Sequence, residues 1–166
     1  EDWSGAADRH NTEAWATAYA SNTKNFYYNF GSCDYCALGN PVFFPPDSNT
    51  DYLWYVSWGL VNAYTVPEIY ETFGKHAVQW RNLSRYAAEC TNCRPAGYAQ
   101  GYRPIRFSGT LTQYANCVGR ETADSCLYLN NTPQAGWDYL YRVLNDSAYP
   151  YLQQSLRWST DIVQQK

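Results

Sequence analysis

Asp34, Glu68 and Asp161 are the residues of this 166-residue chain whose type and placement suit them to chemistry. Asp34 follows the aromatic run 26–30, Glu68 lies inside the apolar pentapeptide 66–70 (VPEIY), and Asp161 falls near the end of 155–162 (SLRWSTDI). Each of these segments has strand character. In parallel α/β folds the reactive groups gather at the C-terminal ends of strands. Paired carboxylates there are what glycosidic bond cleavage needs: one acid protonates the leaving oxygen, and a second carboxylate attacks the sugar or activates water. Trp58, Tyr70 and Gln113 are the candidate substrate contacts, because aromatic rings stack on the apolar faces of sugars and an amide can bond their hydroxyls.

Each of these residues also has an ordinary structural role open to it. Asp34 sits between two cysteines and could cap a turn. Glu68 would be costly if buried alone, so it is expected to be either catalytic or paired with Arg81, Arg106 or Arg157. Asp161 could cap a C-terminal segment or pair with Arg157, and Trp58 could be core. His10 and His76 form no metal motif, and His76 is expected to be solvated at a helix start. Neither a serine-hydrolase elbow nor a nucleotide-binding glycine loop is present, so neither a metal nor a cofactor is expected.

The elements that must hold these residues follow from periodicity. A helix is expected over 11–22, a strand over 26–30, loop over 37–51, and strands over 52–58 (YLWYVSW) and 66–70. The 52–58 run is apolar on both parities, as in a strand covered on both faces. A helix over 76–89 presents Ala77, Trp80, Leu83, Ser84 and Ala87 on one side. A strand over 105–111 enters a turn at 112–116, a loop runs over 117–132, and a helix fills 133–145 with Pro133 in its first turn. A strand over 155–162 closes the order. Alternating strands and helices predict one α/β domain spanning 1–166, with a parallel sheet.

Composition bounds the setting. The chain is 45% apolar and 16% charged, with a net charge of −3, so it can bury a core and has no basic excess suited to nucleic acid. No apolar run reaches the length of a membrane span. The six cysteines fall as near-neighbour pairs, Cys33 with Cys36, Cys90 with Cys93, and Cys117 with Cys126. Local disulfides are the simplest pairing, ahead of a zinc or redox site, and they predict a secreted protein. Asn82, Asn130 and Asn145 head N-x-S/T triplets and are candidate glycosylation sites. The chain has 17 Tyr and 7 Trp but no Met, so a processed segment upstream of Glu1 is expected.

Several blocks resemble a group of uncharacterised secreted bacterial proteins, many of them actinobacterial. These are Trp54-Tyr55-Val56-Ser57-Trp58-Gly59, Pro67-Glu68-Ile69-Tyr70, Trp80-x-x-Leu83-Ser84-x-Tyr86 and Phe107-Ser108-Gly109-x-Leu111-Thr112-Gln113, followed by Gly136-Trp137-x-x-Leu140 and Trp158-Ser159-Thr160-Asp161-Ile162. The resemblance implies a glycoside-hydrolase-like (β/α) barrel but no established activity. A full barrel needs about 250 residues, so the expected fold is a partial or reduced barrel-like parallel sheet with long disulfide-closed loops. Its open edges would be covered by loops, a second copy or a partner chain. Three functions are consistent with these features: a secreted glycoside hydrolase, a non-catalytic carbohydrate-binding module, and a self-assembling extracellular structural protein.

Overall fold

The chain alternates short parallel strands with helices. A computed structural model describes residues 6–33, 49–90, 103–120 and 126–162. Helix α1 (Ala6–Asn22) leads to β1 (Tyr27–Gly31). Then α2 (Asn49–Trp54) runs directly into a π-helical turn, Tyr55–Gly59, followed by β2 (Ala63–Pro67) and α3 (Lys75–Glu89). After β3 (Thr110–Thr112) come the single turn α4 (Tyr114–Cys117), α5 (Pro133–Leu144), a 3₁₀ turn at Pro150–Leu152, and β4 (Ser159–Asp161).

β1 pairs with β2, and β3 with β4, both in parallel. Single bridges, Thr65 to Phe107 and Glu68 to Leu111, join the two pairs in the order β1-β2-β3-β4. Three steps along the β2 strand thus match four along its neighbour, so the neighbour carries one extra residue between Phe107 and Leu111. Phe107 meets Trp80 of α3 edge to face, and Thr112 lies against Gly136 of α5. Both side chains therefore face the helices although five residues apart, an odd separation that only the extra residue permits. Gly109 sits within this irregularity: a Cβ there would lie 2.5 Å from the Trp158 ring and 2.6 Å from its carbonyl oxygen. The described strands do not close into a barrel.

The core fills the space between the helices and one sheet face. Trp80, Leu83, Leu140 and Leu144 are fully buried, with Ile69 and Ile105 beneath them. On that face Tyr27 donates to the Val56 carbonyl at 2.7 Å, Asn29 to Ser57 Oγ at 2.6 Å, and Thr65 to the Ser57 carbonyl at 2.7 Å. Tyr28 and Phe30 alternate with these residues and are 51% and 48% exposed on the opposite face.

The helices expected at 11–22, 76–89 and 133–145 form close to those bounds, α1 starting five residues earlier. Segment 52–58 is corrected from strand to helix. Every residue from Asp51 to Gly59 is buried, and periodicity alone cannot separate a fully buried strand from a fully buried helix. Because β1 and β2 are adjacent and parallel, their connection must cross over the sheet, and this apolar run is what packs there. The strands expected at 66–70, 105–111 and 155–162 are shorter or displaced, and the turn expected at 112–116 contains α4. The expected disulfide Cys117–Cys126 is present, with Cα atoms 5.3 Å apart. Cys33 and Cys90 are also disulfide-bonded, while Cys36, Cys93 and Asp34 lie outside the described residues.

Candidate active site at the strand ends

Two of the three predicted carboxylates converge where β2 and β4 end. Glu68 directly follows β2, where its backbone N–H reaches the Gly31 carbonyl at 3.1 Å. Tyr70, two residues on, has its hydroxyl close to the Glu68 carboxylate. Burial raises the Tyr70 phenol well above its ordinary range, and the nearby Glu68 and Asp161 charges push it further in the same direction. Tyr70 is thus held neutral.

Tyr70 is positioned from three sides. Its backbone N–H donates to Nδ1 of His76 at 3.3 Å, and its carbonyl accepts from the Asn131 N–H at 3.1 Å. The Asn131 side chain donates to the carbonyls of Ile69 at 3.0 Å and Glu71 at 2.8 Å, so one residue grips three successive positions of the loop after β2. Tyr139 donates to the Thr72 carbonyl at 2.6 Å, and Glu71 accepts from the Lys75 N–H at 2.6 Å at the start of α3. Gly74 turns the chain there at φ 78°. The expectation that His76 is solvated is corrected: it is buried and tied to this loop.

Asp161 has a structural task. One carboxylate oxygen accepts from Thr112 Oγ1 and the Tyr114 N–H, both at 2.7 Å, and the other accepts from the Ala115 N–H at 2.6 Å. It caps α4 from across the sheet, not a C-terminal segment and not through Arg157. Its charge still reaches Tyr70. None of the arginines proposed as partners of Glu68 pairs with it among the described residues. Arg81 bonds Asn82 Oδ1 at 3.0 Å and lies over Tyr149, while Arg106 and Arg157 line a separate groove.

The other predicted contacts part company with the site. Trp58 is 7% exposed, in the π turn inside the core, and is not a stacking platform. Gln113 donates to the Leu129 carbonyl at 3.0 Å and anchors the disulfide-closed excursion after β3. Of the glycosylation candidates, Asn82 is 2% exposed within α3, with no room for a glycan in the folded chain. Asn145 donates to the Tyr141 and Gln154 carbonyls at 2.9 and 3.0 Å. Thr132 of the Asn130 triplet caps α5 by accepting from the Ala135 N–H at 3.1 Å.

Sequence reasoning missed Asn131 and His76 as positioning residues. The signal for Asn131 was weak: the triplet grammar directs attention to Asn130, the residue before it. Among the described residues no group of side chains has the makings of a metal site, and no helix is long and apolar enough to cross a membrane. The chain matches no family model, no curated protein and no solved structure.

Proposed function

We propose that the chain is a glycoside-hydrolase-like protein in which Glu68 is the working carboxylate. The observation that carries this reading is the placement of Glu68 and Asp161 at the C-terminal ends of neighbouring parallel strands, with Tyr70 close enough to feel both charges. As a carboxylate, Glu68 would attack an anomeric carbon or activate water rather than give up a proton. Asp161, its oxygens occupied by three donors, is a positioning carboxylate. The proton donor is assigned to Asp34 on its sequence position after Cys33. In this reading the sequential parallel strands are successive units of a (β/α) barrel, and the disulfides support a location outside the cell.

The test is release of reducing ends from a panel of polysaccharides. Glu68→Gln is expected to lower the rate by at least 10³-fold while retaining binding, and Tyr70→Phe to lower it less. Retained activity in Glu68→Gln would end the assignment. A second reading, a non-catalytic binding module, draws support from the exposed rings of Phe26, Tyr28 and Phe30 on the open sheet face. It predicts binding without release and no effect of Glu68→Gln.

A further inference from the structure

The open face of the sheet carries a second feature, away from Glu68. A groove of about 610 Å³ is lined by Tyr64, Arg106, Ser108, Ser155 and Arg157, with Gln154 and Phe107 in its wall. It lies towards the N-terminal ends of β3 and β4, whereas Glu68 and Tyr70 lie at the C-terminal ends.

Its orientation follows from strand alternation. Phe107 points at Trp80 in the helix layer, so its neighbours Arg106 and Ser108 point the other way, to the side on which Tyr28 and Phe30 are exposed. The wall is fixed rather than loose. Gln154 Oε1 accepts from the Phe107 N–H at 2.9 Å, its Nε2 donates to the Ile105 carbonyl at 2.9 Å, and the Ser108 N–H bonds the Thr65 carbonyl at 3.2 Å. Among the described residues, Arg106 and Arg157 form no ion pair and no carboxylate lines the groove. Two uncompensated guanidiniums in one concavity, in a chain of net charge −3, are a local reversal of sign.

Tyr64 joins the groove to a row of rings. Its centroid lies 4.9 Å from that of Phe26 and 5.7 Å from that of Tyr28, and Tyr28 lies 6.3 Å from Phe30. Rings in a row offer apolar faces to successive sugars, while planar guanidiniums grip carboxylate or sulfate oxygens through paired N–H donors.

We infer that this groove and its aromatic row bind an anionic polysaccharide, with Arg106 and Arg157 holding an acidic substituent of a sugar that packs against Tyr64. The inference rests on the carbohydrate reading and deepens it to a ligand class. A second copy of the chain fits less well. A two-fold contact across this face would bring each arginine pair towards the same pair on the partner.

The test measures binding of polygalacturonate, dextran sulfate and uncharged dextran to the full chain, by titration calorimetry at low and moderate salt. At least one anionic polymer is expected to bind at least tenfold more tightly than dextran, with affinity falling as salt rises. Preference for polygalacturonate identifies the carboxylate as the bound group, and preference for dextran sulfate identifies the sulfate; either supports the inference. Arg106→Gln and Arg157→Gln each should weaken binding about tenfold, Arg106→Lys less, and Tyr64→Ala should weaken every polymer that binds. These positions are exposed or half-buried, and thermal melts check that the variants fold. Glu68→Gln should bind as the native chain does. Equal binding of dextran, or arginine variants that bind like the native protein, would overturn the inference. So would a dimer in sedimentation that Tyr64→Ala dissociates. Anionic binding with no hydrolysis dependent on Glu68 would refute the hydrolase reading and leave this one standing.

Discussion

Replacing Asn131 by alanine tests the argument that one side chain holds the loop carrying Tyr70. Asn131 is 3% exposed, and its amide gives two hydrogen bonds, to the carbonyls of Ile69 and Glu71. The third contact, from its backbone N–H to the Tyr70 carbonyl, survives the substitution. Each lost bond is worth about 1 kcal/mol; the Glu71 carbonyl keeps the Gly74 N–H at 3.3 Å, while the Ile69 carbonyl, left without this donor, adds about 1–3 kcal/mol. The expected loss is about 3–5 kcal/mol, or roughly 6–20 °C in Tm for a chain of this size. Asn131→Asp sharpens the test. It keeps the shape but sets carboxylate oxygens against two carbonyls, so the folded carboxyl should be pushed above its unfolded value of about 3.9. A group raised on folding supports the fold most below its unfolded pKa, and that support fades as pH rises through the folded one. The Asp variant should therefore melt closer to the native protein at pH 4 than at pH 7. Thermal melts across that range read both effects. An Ala variant melting within about 1 °C of native, or an Asp variant whose deficit is the same at both pH values, would refute the clamp.

Other substitutions probe the scaffold around the site. Gly136→Ala would place a Cβ 2.8 Å from Thr112 Cγ2 and 3.3 Å from the Ile69 carbonyl oxygen. The gain of about 1 kcal/mol from helix propensity is expected to be outweighed by about 1–3 kcal/mol of overpacking, and urea midpoints should fall. Cys117→Ser with Cys126→Ser opens a loop of sequence separation 9; loop-closure entropy sets the loss at about 2.7 kcal/mol, again read by urea unfolding. At the far end of α3, burial alone would raise the Glu89 carboxyl, but bonds from Arg85 and the Tyr151 hydroxyl outweigh it and the net shift is downward. A carboxyl lowered on folding stabilises above its ordinary value of 4.5 and loses that effect as pH falls through the folded value. Native and Glu89→Gln proteins should thus differ by up to about 1 kcal/mol at pH 7 and converge at acidic pH.

The sequence carried the amphipathic helices well and the strands poorly. α5 was legible because Pro133 suits a first turn and Trp137, Leu140 and Leu144 recur on one face. α3 was legible through one continuous buried stripe. α2 and its π turn were not, because a segment buried all round leaves no polar phase to read. β3 and β4 have three paired residues each, too few for alternation to show. For the site, strand-end reasoning selected Glu68 and Asp161, whose charges both reach Tyr70, a residue chosen as an aromatic contact. It could not see that Asp161 caps α4, since that contact spans nearly fifty residues of chain, nor that Trp58 faces inward, since its strand is a helix. His76 was misjudged because a polar side chain at a helix start looks solvated unless the preceding loop folds back over it.

The extra residue between Phe107 and Leu111 reaches further than its single position. A strand is a two-state counter: each residue toggles which face the next one serves. One added residue resets that counter, so the stretch before Gly109 and the stretch after it obey opposite parity rules. Deleting Gly109 would not merely shorten the strand. It would turn Thr112 away from α5 and move Leu111 off the side it shares with Glu68, exchanging an oily neighbour for a polar one beside the candidate carboxylate. A paired deletion would preserve the phase where a single one cannot. In this strand, length changes are therefore tolerable in even steps only, and the chemistry at its far end depends on that arithmetic.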